Sequence, residues 1–220
     1  KAPPECNRAP DPRGLEYSVV SGVFGRVNEF DTNSPNNRRV YNGVDVSINM
    51  RLPRGASLNG GTSTGRVVAV TCDVENANNT RFCDQTQSAV PYQTLFKVSG
   101  TYPLPYGIRV SANYQSLPGT ERSIIYAVTR ALVPLMTQSS QNIRLNEPGS
   151  TYNDRVNQLD LNLTKSIRVN NVDIRPEIGL FNILNGSAVT AQVNTFGPTL
   201  GRVNTILAAR LLRFGLTMRF

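Results

Sequence analysis

The sequence contains no histidine and no tryptophan among its 220 residues. The absence of histidine excludes serine–histidine triads, histidine general bases and the usual histidine-containing zinc sites. No glycine-rich phosphate-binding motif is present. The Asp and Glu residues are scattered along the chain, and scattered carboxylates are more often solvated or ion-paired than catalytic. The sequence therefore predicts a protein that is not an enzyme, and no residue pattern in it calls for a cofactor or a catalytic metal.

Long apolar runs are also missing. No stretch approaches the roughly 18 consecutive apolar residues that a transmembrane helix requires, and the mean hydropathy is only -0.27. This excludes a helical membrane protein. It does not exclude a transmembrane β-barrel, because a barrel strand presents an apolar side chain to lipid only at every second position.

The start of the chain has no leader-like segment, since no apolar stretch follows Lys1. Residues 1–38 are rich in proline and predict a loop-rich start with one weakly patterned strand near 15–24. We expect from this start that a leader has been removed or that the chain is a fragment.

The net charge is +8 and the sequence pI is about 9.8. A basic protein can bind nucleic acid, but here the Lys and Arg residues are spread through the chain instead of forming a stripe with interleaved aromatic residues. We therefore predict no nucleic-acid partner.

The end of the chain alternates apolar and polar residues. Successive side chains of a strand point to opposite faces, so one face of residues 211–220 carries Leu212, Phe214, Leu216, Met218 and Phe220, and the other carries Leu211, Arg213, Gly215, Thr217 and Arg219. One face suits lipid and the other suits water. A soluble sheet with one buried face would show the same alternation in a single strand.

The same period of two recurs along the chain, with charged residues in the middle of the predicted strands. A packed core would reject most of these charges, whereas a water-filled barrel lumen accepts them. The residues predicted to face the lumen are Asp45, Lys97, Arg109, Asp160, Arg175, Glu177 and Arg213. Because this set is mixed in sign, charge alone does not predict an anionic ligand.

The pattern predicts about eight strands, near residues 15–24, 40–52, 55–70, 92–104, 107–116, 156–168, 172–184 and 206–220. Residues 56–66 are rich in Gly and Thr and are equally compatible with a loop. Tight turns are predicted at 53–55, 103–107 and 169–171, and long polar segments at 25–39, 71–91, 117–155 and 185–205. Short turns at one end and long loops at the other are typical of outer-membrane barrels, with the turns in the periplasm.

Two further features lie in the long segments. Cys72 and Cys83 bracket a polar stretch, which favours a disulfide that closes an exported loop, with two free thiols as the alternative. Cys6 is left without a predicted partner. Residues 123–145 are apolar enough to fold into a barrel mouth, or to form a short hairpin or helix. Loops of this length are often functional, and contact with a ligand is one role open to this one.

Several motifs then resemble a known family. Residues 39–55 (RVYNGVDVSINMRLPRG), 81–84 (RFCD), 102–107 (YPLPYG), 157–165 (NQLDLNLTK), 180–185 (LFNILN) and 211–220 (LLRFGLTMRF) resemble the C-terminal end of TonB-dependent outer-membrane receptors. The likeness is greatest to the subgroup with a carboxypeptidase-regulatory-like domain before the plug. It covers residues 39–220 and identifies the barrel, not the transported nutrient.

The resemblance implies an all-β fold of antiparallel, up-and-down transmembrane β-barrel strands, in which this chain forms roughly the last third of a barrel of about 22 strands. It implies uptake of a nutrient, such as a siderophore, cobalamin or a saccharide, across the outer membrane of a Gram-negative cell. It implies partners too: outer-membrane lipid and lipopolysaccharide, an unidentified small-molecule ligand, TonB through a plug domain missing from this chain, and the barrel-assembly machinery. That machinery would recognise the final strand through Phe214, Leu216, Met218 and Phe220.

Two alternatives remain open from the sequence. An eight-stranded outer-membrane barrel can close with its lumen filled by side chains. A soluble, secreted β-sandwich that acts as a binding or adhesion module would bury the apolar face against a second sheet.

Overall fold

The structure, a computed structural model, describes residues 34–74, 80–136 and 138–220. The predicted strand at 15–24 and Cys6 lie outside the described residues. The predicted all-β class is confirmed: the described strands pair antiparallel throughout their ladders, and the helical elements between them are single 3-10 turns.

The twelve strands of the described chain are β1 (Arg38–Arg51), β2 (Ser57–Val70), β3 (Gln93–Leu104), β4 (Ile108–Leu117), β5 (Ile125–Thr129), β6 (Ser140–Arg144), β7 (Val156–Lys165), β8 (Ile167–Val169), β9 (Val172–Phe181), β10 (Val189–Gln192), β11 (Val203–Ile206) and β12 (Leu211–Arg219).

The main sheet has eight strands in the order β1-β2-β3-β4-β7-β9-β12, with β8 paired to β9. Neighbours in sequence are therefore neighbours in space, as in an up-and-down meander. β1 and β12 are the two edges and do not pair with each other, so the described residues form an open sheet and not a closed barrel. β2, which includes the Gly- and Thr-rich residues 57–66, is a full strand paired on both sides.

The tight turns lie together at one end of the sheet, which we call the turn end; the opposite end is the loop end. Two of the turns share the sequence Leu-Pro-X-Gly, at residues 52–55 and 104–107. In each, the X residue and the glycine have positive φ: 63° and 79° at Arg54 and Gly55, 63° and 72° at Tyr106 and Gly107. Proline fixes the first turn position and glycine accepts the left-handed one at little cost. The third turn, at residues 170–171, uses Asn170 with φ 54°.

Some strand boundaries differ from the predicted ones for identifiable reasons. The predicted strand 156–168 is interrupted at Ser166 and forms β7 and β8. In the register of these ladders Lys165 lies opposite Pro176, which has no N–H to donate to a neighbouring strand. The predicted strand 172–184 ends at Phe181 because Asn182 is left-handed, with φ 49°. The predicted strand 206–220 was placed too early: Ile206 closes β11, and β12 begins at Leu211.

The long segments at the loop end contain structure of their own. Residues 123–145, for which a hairpin was one expectation, form the β5–β6 hairpin. Residues 185–205, predicted to be a loop, contain the β10–β11 hairpin instead. The two hairpins touch where Ile125 forms a parallel bridge with Thr195, and the rings of Tyr126 and Phe196 meet edge to face at 5.9 Å.

A conventional core is missing from the described part of the chain. Its buried apolar side chains are only Ala56, Ala69, Met136 and Pro148, and each long strand contacts chiefly its hydrogen-bonded neighbours. No second sheet or helix covers either face of the main sheet among these residues. Stability of the sheet therefore rests on its ladders and on cross-strand side-chain pairs.

Candidate functional site

The register separates the main sheet into a polar face and an apolar face. Directly paired residues of an antiparallel ladder point to the same side. Lys97 pairs with Gln115 and Gln115 with Gln158, while Arg109 pairs with Thr164 and Thr164 with Glu177. Continued through every ladder, the register brings all the residues predicted to line a lumen onto the polar face: Asp45, Lys97, Arg109, Asp160, Arg175, Glu177 and Arg213.

On the β12 side of the polar face, a hydrogen-bonded network surrounds Glu177. Its carboxylate accepts hydrogen bonds from the Asn162 amide at 2.8 Å and from the Arg213 guanidinium at 2.5 Å. The same guanidinium lies over the ring of Phe181, 5.2 Å from its centroid. Side chains from β7, β9 and β12 are therefore joined on the polar face, which fixes their positions relative to one another.

A second part of the network runs toward the loop end. The Gln115 amide donates to Gln158 at 3.0 Å, and the Gln158 amide donates to both carboxylate oxygens of Asp160 at 3.0 Å. One of those oxygens also accepts the backbone N–H of Asn182 at 2.8 Å. Donors and acceptors on this face therefore satisfy one another across neighbouring strands.

Asn182 connects the polar face to the loops and is almost fully buried, with 2% of its surface exposed. Its amide group donates to the carbonyls of Gly186 at 3.0 Å and Ala208 at 2.7 Å, and its side-chain oxygen accepts the N–H of Gly186 at 3.0 Å. Asn185, also left-handed with φ 52°, accepts the N–H of Arg210 at 3.2 Å. The LFNILN motif thus has a structural role: the side chains of its two asparagines form hydrogen bonds that join the end of β9 to the residues before β12.

The opposite face is apolar and exposed. Its final strand carries the residues predicted to face lipid, with exposed fractions of 72% for Phe214, 60% for Leu216 and 48% for Met218. Phe220, which follows β12, is 96% exposed. The register continues this face across the sheet through Ile178, Leu163, Val110, Tyr102, Leu58 and Ile48.

The size of the apolar face is also informative. β4, β7 and β9 each have 10 residues. At about 3.4 Å per residue such a strand is roughly 34 Å long, and a tilt of about 45° gives a height near the apolar band of outer-membrane barrels, about 25 Å. An uncovered apolar surface of this extent on a soluble monomer would be unusual.

At the loop end, Glu121, Pro148, Gly149 and Tyr152 lie beside the polar face and form one wall of an open groove of about 330 Å³. Tyr41, Gln93, Glu121 and Tyr152 are among its lining residues. Burial, reinforced by the nearby Glu121 carboxylate, raises the pKa of the Tyr152 phenol above its ordinary value. Tyr152 therefore keeps its proton, and remains a hydrogen-bond donor, at neutral pH.

Cys72 and Cys83 form the disulfide that the sequence favoured, with a Cα–Cα distance of 4.8 Å. It closes the segment that follows β2, where Thr71 donates its N–H to the Cys83 carbonyl at 2.8 Å. Asp84 then begins a 3-10 turn by accepting the backbone N–H of Thr86 at 2.9 Å. Hydrogen bonds from the Thr86 hydroxyl and N–H lower the pKa of the Asp84 carboxyl.

Arg38 and Arg39 were predicted to lie in a loop, and this was wrong. They are the first two residues of β1, paired with Val70 and Ala69. The ladder extends this far because the Asn37 side chain continues it: its amide donates to the Asp73 carbonyl and its oxygen accepts the Asp73 N–H, both at 3.0 Å. Both arginines remain exposed at the loop end.

Two features of the structure were not predicted from the sequence. The asparagine cluster around Asn182 could have been suspected from the pair of asparagines that interrupts an apolar run, because asparagine tolerates left-handed backbone. The groove beside Tyr41 had no sequence signal, since its walls come from segments far apart in the chain.

Among the described residues, none of the helical segments has the length and apolar character needed to cross a membrane. No group of three or more Cys, Asp or Glu side chains in this part of the chain is arranged to hold a metal ion. Comparison with known proteins found no matching family model, no matching curated protein and no matching solved structure.

Proposed function

We propose that this chain forms part of the wall of an outer-membrane β-barrel, with its apolar face against lipid and its polar face toward a water-filled lumen. One observation carries the proposal: a single sheet, uncovered in its described part, has a mainly apolar face on one side, with polar residues such as Arg66 and Thr64 toward the loop end, and a hydrogen-bonded, charged face on the other. A soluble sheet would need another layer over its apolar face, and none lies there among the described residues, whereas a barrel wall accounts for both faces as they stand.

The ends of the strands support the same proposal. All the tight turns and the end of β12 lie at the turn end, and the long connections lie at the loop end. Outer-membrane barrels have this asymmetry, with short turns in the periplasm. The unpaired edges of β1 and β12 would be joined to further strands, because lipid does not tolerate open sheet edges.

The specific activity that we propose is nutrient uptake as part of a TonB-dependent receptor. This step rests on the motifs that resemble the family, of which LFNILN and the final strand have clear structural roles here. In this proposal a siderophore, cobalamin, a saccharide or a similar nutrient passes along the polar face. Phe214, Leu216, Met218 and Phe220 would be recognised by the barrel-assembly machinery, and a plug outside this chain would contact TonB.

Site-directed spin labelling in outer-membrane vesicles tests the membrane assignment. Single cysteines are introduced at Val110 and Ala112 on the apolar face of β4, and at Ser111 and Asn113 on its polar face, in a background in which Cys6 is serine and the disulfide is intact. We expect positions 110 and 112 to be accessible to oxygen dissolved in lipid, and positions 111 and 113 to a water-soluble nickel chelate.

The experiment also separates the alternatives. Spin labels at successive positions of β4 that are accessible in turn to the lipid-dissolved and the water-soluble reagent would support a barrel wall. Positions 110 and 112 that are shielded from both reagents would mean that another protein layer covers the apolar face, as in a β-sandwich, and would refute the proposal.

A further inference from the structure

The groove at the loop end of the polar face has a planar floor. The ring of Tyr41 lies across Gly43 and Gly65, which pair directly in the β1–β2 ladder. A Cβ atom built on Gly43 or Gly65 would come within 2.6 Å of Tyr41 ring carbons, so only glycine leaves room for the ring. One side of the ring is thus turned to the backbone, while 53% of the Tyr41 surface stays exposed. The result is an aromatic platform backed by the sheet.

The rim of the groove is polar and offers both donors and acceptors. Gln85 uses its side-chain oxygen to accept the Ala69 N–H at 3.1 Å, which orients its amide group. Gln93 lies within hydrogen-bonding reach of Tyr152. Arg39 and the Glu121 carboxylate add one charge of each sign.

The far wall is held in a fixed position. One oxygen of Glu121 accepts hydrogen bonds from Arg144 at 2.5 Å and from the N–H of Gly149 at 2.6 Å. Gly149 has φ 76°, and a Cβ atom there would meet the Cα of Val90 at 2.9 Å. This close approach brings the 148–149 turn against the segment before β3. The groove is therefore built by specific contacts and does not depend on a loose loop.

We propose that the groove binds a saccharide ring, stacked on Tyr41 and hydrogen-bonded through its hydroxyls to Gln85, Gln93, Glu121 and Tyr152. The C–H groups of a pyranose face suit the negative face of an aromatic ring, and hydroxyls match a rim of mixed donors and acceptors because each can donate and accept. The volume of about 330 Å³ is at the lower end for small-molecule sites and fits a mono- or disaccharide. This inference deepens the proposed function by choosing its substrate class and rests on that function for the route of the ligand.

The other nutrient classes fit the groove less well. A corrin macrocycle is far larger than the groove volume of about 330 Å³. A ferric siderophore with anionic groups would favour several free cations, but the second arginine that lines the groove, Arg66, is stacked 4.8 Å above the ring of Tyr92. A ligand with many hydroxyls and little charge agrees best with a rim of one free arginine, one paired carboxylate and several neutral groups.

Saturation-transfer difference NMR with maltose, cellobiose and chitobiose tests the inference on the protein expressed from its native reading frame and purified in detergent. We expect ring-proton signals from at least one disaccharide. The Tyr41→Ala variant should bind that sugar about tenfold more weakly, because it removes the stacking platform. Tyr41→Phe, which keeps the ring, should bind nearly as well as the native protein. Tyr106→Ala removes an exposed tyrosine at the turn end and serves as the matched control with unchanged binding.

Two results would overturn the inference: no transfer to any of the disaccharides, or transfer that Tyr41→Ala leaves unchanged. Equal heat-modifiable mobility on gels shows that each variant is folded. The spin-label pattern along β4 is measured on the same preparations. A preserved lipid–water alternation without sugar binding refutes the saccharide site alone, whereas a lost alternation refutes the barrel wall itself.

Discussion

Substitution of Asn182 should destabilise the connection between β9 and β12 more than any exposed change on the sheet. Its side chain makes three hydrogen bonds, to the Gly186 and Ala208 carbonyls and from the Gly186 N–H. At a net 0.5 to 1.5 kcal/mol each, these contribute roughly 1.5 to 4.5 kcal/mol. The left-handed backbone, with φ 49°, costs an alanine about 1 to 2 kcal/mol more. Asn182→Ala should therefore lower the free energy of unfolding by about 2.5 to 6.5 kcal/mol.

Asn182→Gly separates the two contributions. Glycine adopts the left-handed conformation freely, so this variant should lose the hydrogen bonds alone and be about 1 to 2 kcal/mol more stable than Asn182→Ala. Asn185→Gly is the matched control. It sits in a similar conformation and gives up one hydrogen bond, from the Arg210 N–H, which should cost about 1 kcal/mol.

Trypsin cleavage after Arg210 reports this local stability, because the Arg210 side chain is held by the Ile183 carbonyl at 2.6 Å. Cleavage is followed over a urea series in the protein expressed from its native reading frame. An Asn182→Gly variant as resistant as the native protein would show that the buried amide contributes nothing, and equal cleavage of the Gly and Ala variants would show that backbone conformation does not matter.

Four further predictions concern other parts of the chain. Replacing Cys72 and Cys83 by serine should destabilise the loop between them by about 2 to 3 kcal/mol, because the unfolded segment gains conformational freedom. Trypsin should then cleave faster after Arg81, and unchanged cleavage would contradict this. Hydrogen bonds from Thr86 lower the pKa of Asp84, so the Asp84 carboxylate stabilises the fold above its unfolded pKa, and this stability is lost as pH falls through the lower, folded pKa. Asp84→Asn should abolish this acid dependence, measured as cleavage at Arg81. A variant with the same pH profile as the native protein would contradict the prediction. Ala112→Arg on the apolar face should cost about 2 to 4 kcal/mol in a bilayer, whereas Asn113→Arg on the polar face of the same strand should be nearly neutral; equal losses in a refolding titration would contradict the assignment of the faces. Changing Arg38 and Arg39, exposed at the loop end, to serine should weaken binding of lipopolysaccharide, measured by co-purification, and unchanged co-purification would remove that partner.

The sequence predicted the two faces of the sheet because a strand has a strict period of two. One register joins every ladder of the main sheet, so alternation within each strand was enough to bring Asp45 and Arg213 to the same face although they lie far apart in the chain. The tight turns were equally predictable, since Leu-Pro-X-Gly fixes backbone conformation over a few residues.

Other features depend on contacts that no local pattern records. The β10–β11 hairpin is made of strands of 4 residues each, too short to show a period. Arg38 and Arg39 belong to β1, and the Asn37 side chain extends the ladder beyond them by bonding Asp73, the first residue inside the disulfide loop. Tyr41 could be recognised as part of a strand from sequence, but the glycine pair beneath it became evident only from the β1–β2 register.

The unbroken register also bears on how this protein can change over evolutionary time. Deleting one residue inside β4 would shift part of the strand by one position, so that Arg109 or Asn113 exchanged sides with Val110 or Ala112 while β3 and β7 kept theirs. Within the strands, inherited change is therefore confined to substitutions that respect the side of the sheet. Gains and losses of length can accumulate beyond the loop end, where the chain can acquire new recognition surfaces without disturbing the strands that support them.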